Sequence, residues 1–408
     1  MTLGTMATDV EKRIDFDALR EYRLARAREQ MEKYDLGALV CFDLDNIRYI
    51  TNTNLAEWAR GKYMRWCVLP REGEPVLFEM GTAAVAKREL CPWLKPENIR
   101  VATPWFRGGY PQDVNLALSK NAMQEVKNIL QENHVANMAV GLDESEGYIT
   151  HALEAVRLQV HRGYDAMFDA RLIKSPEELQ LLEFSAALVD AVFADIFEFI
   201  RPGIRESEIV AKIHSHLINR GVDRISGIVC VSGPRSNPHP HDYSDRMIRP
   251  GDPVFIDVAS HFMGYATCYY RTFAVTRADK KHQEVYQRAM DWLQASIDVI
   301  RPGITTADVA HQWPSAKELG YEDEREAFAL AIGHGVGLSH HEKPWITRAY
   351  SLEHPVPIEE GMHIALETFY GEGEYGARIE QQVIVTADGH QVITKWPCEK
   401  LMVCNPIG

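Results

Sequence analysis

Four ionisable residues stand inside otherwise apolar runs of the sequence. Asp257 lies in Val254–Ala259, Glu367 in Ile364–Phe369, Glu380 in Ala377–Val385, and His334 in Ala329–Leu338. A carboxylate buried among apolar neighbours is costly unless it is paired, hydrogen-bonded or bound to a metal. Each alone also reads as a strand-end acid making an ordinary hydrogen bond. Together, three carboxylates and an imidazole in one half of the chain point to a shared divalent cation. The histidine segment runs Gly333-His334-Gly335-Val336-Gly337-Leu338-Ser339-His340-His341-Glu342-Lys343-Pro344. Its glycines permit close backbone approach; a glycine-rich loop with solvated histidines is the plain alternative.

The elements that must position these residues follow from local pattern. Pro253–Ala259 and Gly264–Val275 read as one β-hairpin, and Met362–Tyr370 with Ala377–Thr386 as another. Ser175-Pro176-Glu177-Glu178 carries the N-cap, first-turn proline and capping-box glutamate of a long helix, with apolar positions at Leu179, Leu182, Phe184, Ala187, Val189 and Val192. The pentapeptide Ile200-Arg201-Pro202-Gly203-Ile204 recurs as Ile300–Ile304, each copy between helical stretches and followed by an acid, Glu208 or Asp308. One copy is an ordinary helix stop. Two in the same context indicate a duplicated unit and a pseudo-twofold α+β domain. Upstream, short apolar runs (Ala38–Phe42, Trp66–Leu69, Pro75–Phe78, Met138–Leu142), with the run Asn46–Thr51 among them, alternate with helical stretches (Phe16–Leu36, Gly81–Leu90, Asn121–Asn133). That alternation predicts an α/β first domain. The expected division is 1–165 and 166–408.

Composition sets the outer bounds. The chain has 408 residues, 44 Lys and Arg against 58 Asp and Glu, and a net charge of −14. That balance argues against nucleic-acid or anionic-membrane partners, which need clustered cations. Seven cysteines without a Cys-x-x-Cys pair fit a reducing compartment. No apolar run approaches the roughly 18 residues needed to span a bilayer. Met1–Asp15 lacks the pattern of a cleaved secretory leader. A soluble cytoplasmic protein is the expectation.

The Gly-His-Gly-Val-Gly-Leu…His-Glu-x-Pro run resembles the creatinase, prolidase and methionine aminopeptidase ("pita-bread") family. So do Asp257 followed by Gly264-Tyr265…Arg271-Thr272-Phe273, and the two late glutamates. Asn46-Ile47-Arg48-Tyr49 extends the likeness to a creatinase-type N-terminal domain. The resemblance implies an α/β N-terminal domain plus a duplicated α+β domain. It also implies metal ligands at Asp257, His334, Glu367 and Glu380. The family's second aspartate falls on Cys268. A thiolate offers one soft donor where a carboxylate can bridge two ions. Cys268 is therefore either a ligand for zinc or iron or a small core residue. Counting charge, a single divalent ion (zinc, iron or manganese) is more economical than two. A metal-free site, as in the creatinase branch, also stays open.

By the same resemblance, His341 faces the substrate and His241 or His239 is the upstream catalytic histidine, with His241 preferred. Arg378 stands where relatives carry an arginine near the site. Val231–Pro238, Asn46–Tyr49 and Thr53-Asn54…Trp58 look nearer to the dimethylsulfoniopropionate lyases of the family, whereas His341-Glu342-Lys343-Pro344 looks prolidase-like. Arg60, Arg65, Trp58 and Tyr63 fall in the stretch through which creatinase subunits complete one another's sites, which implies a homodimer with the active site near the subunit interface. A basic surface loop is the alternative. The leading expectation is a metal-dependent hydrolase or lyase for a small charged non-peptide substrate, a creatine-, ectoine- or dimethylsulfoniopropionate-like zwitterion. The alternatives are an Xaa-Pro dipeptidase or aminopeptidase with an unusual cysteine ligand, and a non-catalytic ligand-binding homologue.

Overall fold

A computed structural model describes residues 14–55, 57–60, 63–103, 109–144, 146–328 and 331–406. Most of Met1–Asp15, together with Ala329 and Leu330 of the histidine run, lies outside the described residues. The chain forms two compact units, Met1–Arg171 and Leu172–Gly408. The helix Gly163–Leu172 runs across the division expected at 165/166 and ends where the second unit begins.

The first unit is built on a six-stranded mixed sheet of β1 (Leu36–Cys41), β2 (Trp66–Pro70), β3 (Val76–Glu79), β4 (Ile99–Val101), β5 (Ala139–Leu142) and β6 (Val160–Arg162), in the order β4-β3-β2-β1-β5-β6. Its central strands are buried on both faces, which is why they read as unbroken apolar runs. The run Asn46–Thr51 belongs to a buried helix, Leu44–Thr51. Asp43 starts that helix by accepting from the amides of Asp45 and Asn46.

The second unit contains two sheets. One holds β7 (Arg224–Ser232), β8 (Pro253–Phe262), β9 (Tyr265–Val275) and, at its edge, β15 (Met402–Cys404). The other holds β10 (Gly333–Gly335), β11 (Glu342–Ile346), β12 (His363–Glu372), β13 (Tyr375–Thr386) and β14 (Gly389–Val392). Both expected hairpins form, β8 with β9 and β12 with β13, each antiparallel.

The repeated pentapeptide makes the same structure twice. Gly203 and Gly303 both adopt positive φ, 91° and 88°. Their amides donate to Ile248 and Ile358, whose own amides return to Ile204 and Ile304, at 2.8–3.0 Å. A capping box with Glu208 or Asp308 opens the next helix in each copy. The duplication extends into the hairpins. Asp257 faces Tyr270 across the first, and Glu367 faces Glu380 across the second.

The sheets are joined through β9 and β13. Gln382 Nε2 donates to the Cys268 carbonyl at 2.7 Å, Arg271 to the Glu380 carbonyl at 2.6 Å, and Thr272 Oγ1 to the Arg378 carbonyl at 2.6 Å. These bonds carry Cys268 from one sheet against Glu380 from the other. The long helix Pro176–Phe199 has the anticipated capping box at Ser175 and Glu178. Its buried stripe is Leu181, Leu182, Ser185, Ala186, Val189, Val192, Phe193 and Ile196; Leu179 and Phe184 are half-buried and Ala187 is exposed.

Candidate active site

Asp257, Cys268, His334 and Glu380 converge. The Cys268 thiol donates to Asp257 Oδ1 at 3.4 Å and lies 3.7 Å from Glu380 Oε2. His334 Nε2 is 3.9 Å from Glu380 Oε1. All four are buried. His334 Nδ1 donates to the Gly335 carbonyl at 3.0 Å, which fixes the tautomer and turns the Nε2 lone pair toward the acids.

Burial pushes the Asp257 carboxyl up to about 6, opposed by Arg378 and aided by Glu367. Burial likewise drives Glu380 and the Cys268 thiol upward, and the neighbouring carboxylates add to both shifts. Acids crowded out of water in this way resist ionising together without a cation among them. Glu380 Oε1 is buried without a hydrogen-bond partner, and its donor set of carboxylate, thiol and imidazole suits a transition ion. The residues thus fit the metal that the sequence led us to expect. Among the described residues, two clusters have ligand atoms that lie within 4.8 Å of one another inside each cluster, Asp257–Cys268–Glu380 and Cys268–His334–His340.

Glu367 belongs to neither cluster; its Oε2 accepts from the Arg378 guanidinium. Arg378 is the hub of the neighbouring half of the site. Its Nη1 donates to His239 Nε2 at 2.9 Å and to His241 Nε2 at 3.0 Å, and its face lies 4.0 Å from the Tyr270 ring centre. An arginine has no acceptor, so both imidazoles must present a bare Nε2 and carry their proton on Nδ1. Burial, with the Arg378 charge beside it, holds His239 down to about 3 and His241 below its ordinary range. The choice between the two is not made by geometry, because both share one guanidinium. His341 packs on His334 with ring centres 4.4 Å apart. Burial and His334 hold it at about 4.

A cavity of about 390 Å³ opens beside this hub. Glu367, Arg378 and His239 line it together with aromatic side chains that include Trp292, Trp313 and Phe328. The volume lies in the range of small-molecule sites.

The first-unit residues named from the sequence have partners within that unit. Arg65 is buried, pairing with Glu79 at 2.9 Å and with Thr53. Tyr63 is buried and donates to Glu144 at 3.2 Å. Arg60 reaches Asp43 and Asp45 at 3.7 and 3.4 Å, and Trp58 is about half exposed.

Sequence reasoning did not single out His340, Tyr270 or the Lys174–Glu342 pair. Tyr270 hydrogen-bonds Asp257 and supports Arg378. Lys174 Nζ lies 3.1 Å from Glu342 Oε2, both buried, while Glu342 Oε1 accepts from the Ser339 amide at 3.1 Å. That pair pins the loop bearing His340 and His341. The only signal for His340 was its adjacency to His341.

Comparison with known proteins agrees with this architecture. The model of metallopeptidase family M24 matches residues 180–387, and that of the creatinase/prolidase N-terminal domain matches residues 23–161. The chain belongs to the M24 metallopeptidase family. It is 32% identical over 243 residues to the probable dipeptidase PepE of Mycobacterium tuberculosis, which covers 59% of this chain and 63% of that protein, a little under two thirds of its length. It is 24% identical over 419 residues to the dimethylsulfoniopropionate lyase DddP of Roseovarius nubinhibens, covering 99% of this chain and 92% of the lyase. The Xaa-Pro dipeptidase structure from Bacillus anthracis superimposes with a TM-score of 0.74 at 22% identity, covering 94% of this chain and 99% of the other, a likeness of fold. M24 members include both hydrolases and lyases, and no described helix is long and apolar enough to cross a membrane.

Proposed function

We propose that this protein is a metal-dependent lyase or hydrolase of a small, charged, non-peptide substrate, working with one divalent ion. The observation that carries this reading is Cys268, which stands 3.4 and 3.7 Å from the Asp257 and Glu380 carboxylates where a bridging acid would be needed to clamp two ions. Asp257, Cys268, His334 and Glu380 would hold a divalent ion, which would supply Lewis acidity. Arg378 meets an anionic substrate group at the cavity wall, and the aromatic side chains of the lining exclude water and pack a cationic or apolar group. His241 and His239, neutral with bare Nε2 atoms, are placed to accept a proton there; His341 donates or accepts at the other side. The near-full-length likeness to a lyase supports this reading.

A second reading, an Xaa-Pro dipeptidase, is supported by the higher identity to dipeptidases over about 240 residues, 32% and 30%. Elemental analysis and substrate trials on the same preparation separate the two. One ion per chain and turnover of an onium or guanidino zwitterion support the first reading. Two ions with release of residues from Xaa-Pro dipeptides overturn it. Cys268→Asp is expected to raise metal content from one ion per chain toward two. The homodimer expected from the resemblance remains part of the proposal, and sedimentation analysis tests it.

A further inference from the structure

We infer that His340, with Cys268 as the shared vertex, completes a sulfur- and nitrogen-rich site for a single borderline-soft transition ion. In this site His334 and His340 bind on one side, Asp257 and Glu380 on the other, and Glu367 stays outside. The inference rests on the metal dependence proposed above but concerns which atoms hold the ion. Four observations meet in it.

Cys268 is the one residue common to both ligand clusters, so an ion bound to its sulfur borders the His334–His340 group on one hand and the Asp257–Glu380 group on the other. The spacings of 3.4, 3.7 and 3.9 Å around Cys268, Asp257, Glu380 and His334 are close to the roughly 3.3–3.8 Å edges expected for bonds of about 2.0–2.3 Å. Two donor atoms are also left waiting. His340 Nε2 and Glu380 Oε1 are both buried without a hydrogen-bond partner. A buried acceptor without a partner is expensive, and one ion satisfies both. Finally, Arg378 already neutralises Glu367, so the fifth ligand type expected from the family is engaged while an unforeseen imidazole takes its place.

The donor set selects among ions. Thiolate and imidazole favour zinc, cobalt or ferrous iron over magnesium or calcium, which prefer all-oxygen sites. Binding converts the Cys268 thiol to a thiolate and releases its proton to solvent; no redox change occurs.

The test uses full-length protein stripped with a chelator and titrated with cobalt(II). The expected result is one cobalt per chain with an intense near-ultraviolet sulfur-to-cobalt charge-transfer band. That band should be lost in Cys268→Ser. In His340→Gln it should persist with altered visible absorption, and zinc affinity by chelator competition should fall by roughly tenfold or more. Magnesium should not compete. Unchanged cobalt spectrum and zinc affinity in His340→Gln overturn the inference, as does binding of two ions without a sulfur band. The metal-free melting temperature of each variant shows whether it folds. If the ion binds as described but no zwitterion is turned over, the proposed function fails and this site stands. If zwitterion turnover survives with an unaltered ion in His340→Gln, the site assignment fails and the function stands.

Discussion

Arg378 decides the protonation of the residues around it. Its guanidinium donates to two imidazoles and one carboxylate at once, so His239 and His241 are held as neutral acceptors at pH 7. In Arg378→Met the nearby positive charge disappears, and the His239 and His241 titrations should move upward toward the ordinary histidine range; nitrogen-detected NMR of the ring resonances checks this. Activity should fall by about a hundredfold or more, because both the substrate anchor and the tautomer control are lost. The family resemblance implied that Arg378, His239 and His241 share one neighbourhood but not that they form one hydrogen-bond fork. Nor did it foresee Tyr270, which occupies in the first hairpin the place Glu380 takes in the second. Arg65 has a partner that spacing does not reveal. In sequence it is one of several cations in an aromatic stretch, whereas its partner Glu79 comes from β3, a pairing that only the folded sheet creates.

Elements position these side chains through a few buried polar joints. Lys174 and Glu342 are both almost fully buried and join the start of the second unit to the histidine loop. Lys174→Met removes the cation beside the buried Glu342 carboxylate and should cost about 3–5 kcal/mol of stability. Urea unfolding measures it, and Lys174→Met combined with Glu342→Gln should recover much of the loss. Hairpin positions, the capping box at Ser175 and the repeated pentapeptide were legible because each rests on short-range pattern. The buried stripe of helix Pro176–Phe199 was only half legible. Apolar residues occur on several of its faces, and a pattern without a polar side cannot say which face meets a sheet. The helix Leu44–Thr51 was missed for a related reason: its polar residues are buried and satisfied internally, as with Asn46, which donates to Asp143 and accepts from Arg171.

At the scale of the whole molecule, acid sensitivity follows from histidines buried without charge. His282 stacks on Tyr375, and neither of its ring nitrogens has a hydrogen-bond partner. Burial depresses it from 6.5 to about 4, with Asp279 opposing. A histidine depressed in the folded state binds fewer protons there than when unfolded. Its contribution is therefore intact above pH 6.5 and is lost as pH falls toward 4, by up to about 1.4 kcal/mol per pH unit. His363, held down to about 3 by burial and then by Lys174, acts in the same sense. Asp257, raised to about 6, has the opposite sign and stabilises the metal-free protein progressively below that pH. Melting temperatures should therefore drop between pH 6.5 and 4, and His282→Phe should narrow the gap between its neutral and acid values. A gap unchanged by His282→Phe would remove His282 from this account.

The strand that bears Cys268 and Tyr270 is gripped from the far side as well. Met402–Cys404 runs parallel to Phe273–Val275, Arg271 holds the Trp396 carbonyl at 2.7 Å, and Tyr286 holds that of Cys398 at 2.6 Å. The closing stretch of the polypeptide is thus a clasp on the backbone of the pocket. A protease nick between Pro397 and Leu401 would act at a distance, slackening the thiol-bearing strand and accelerating deuterium uptake at Phe273–Val275 while every ligand side chain remained in the sequence.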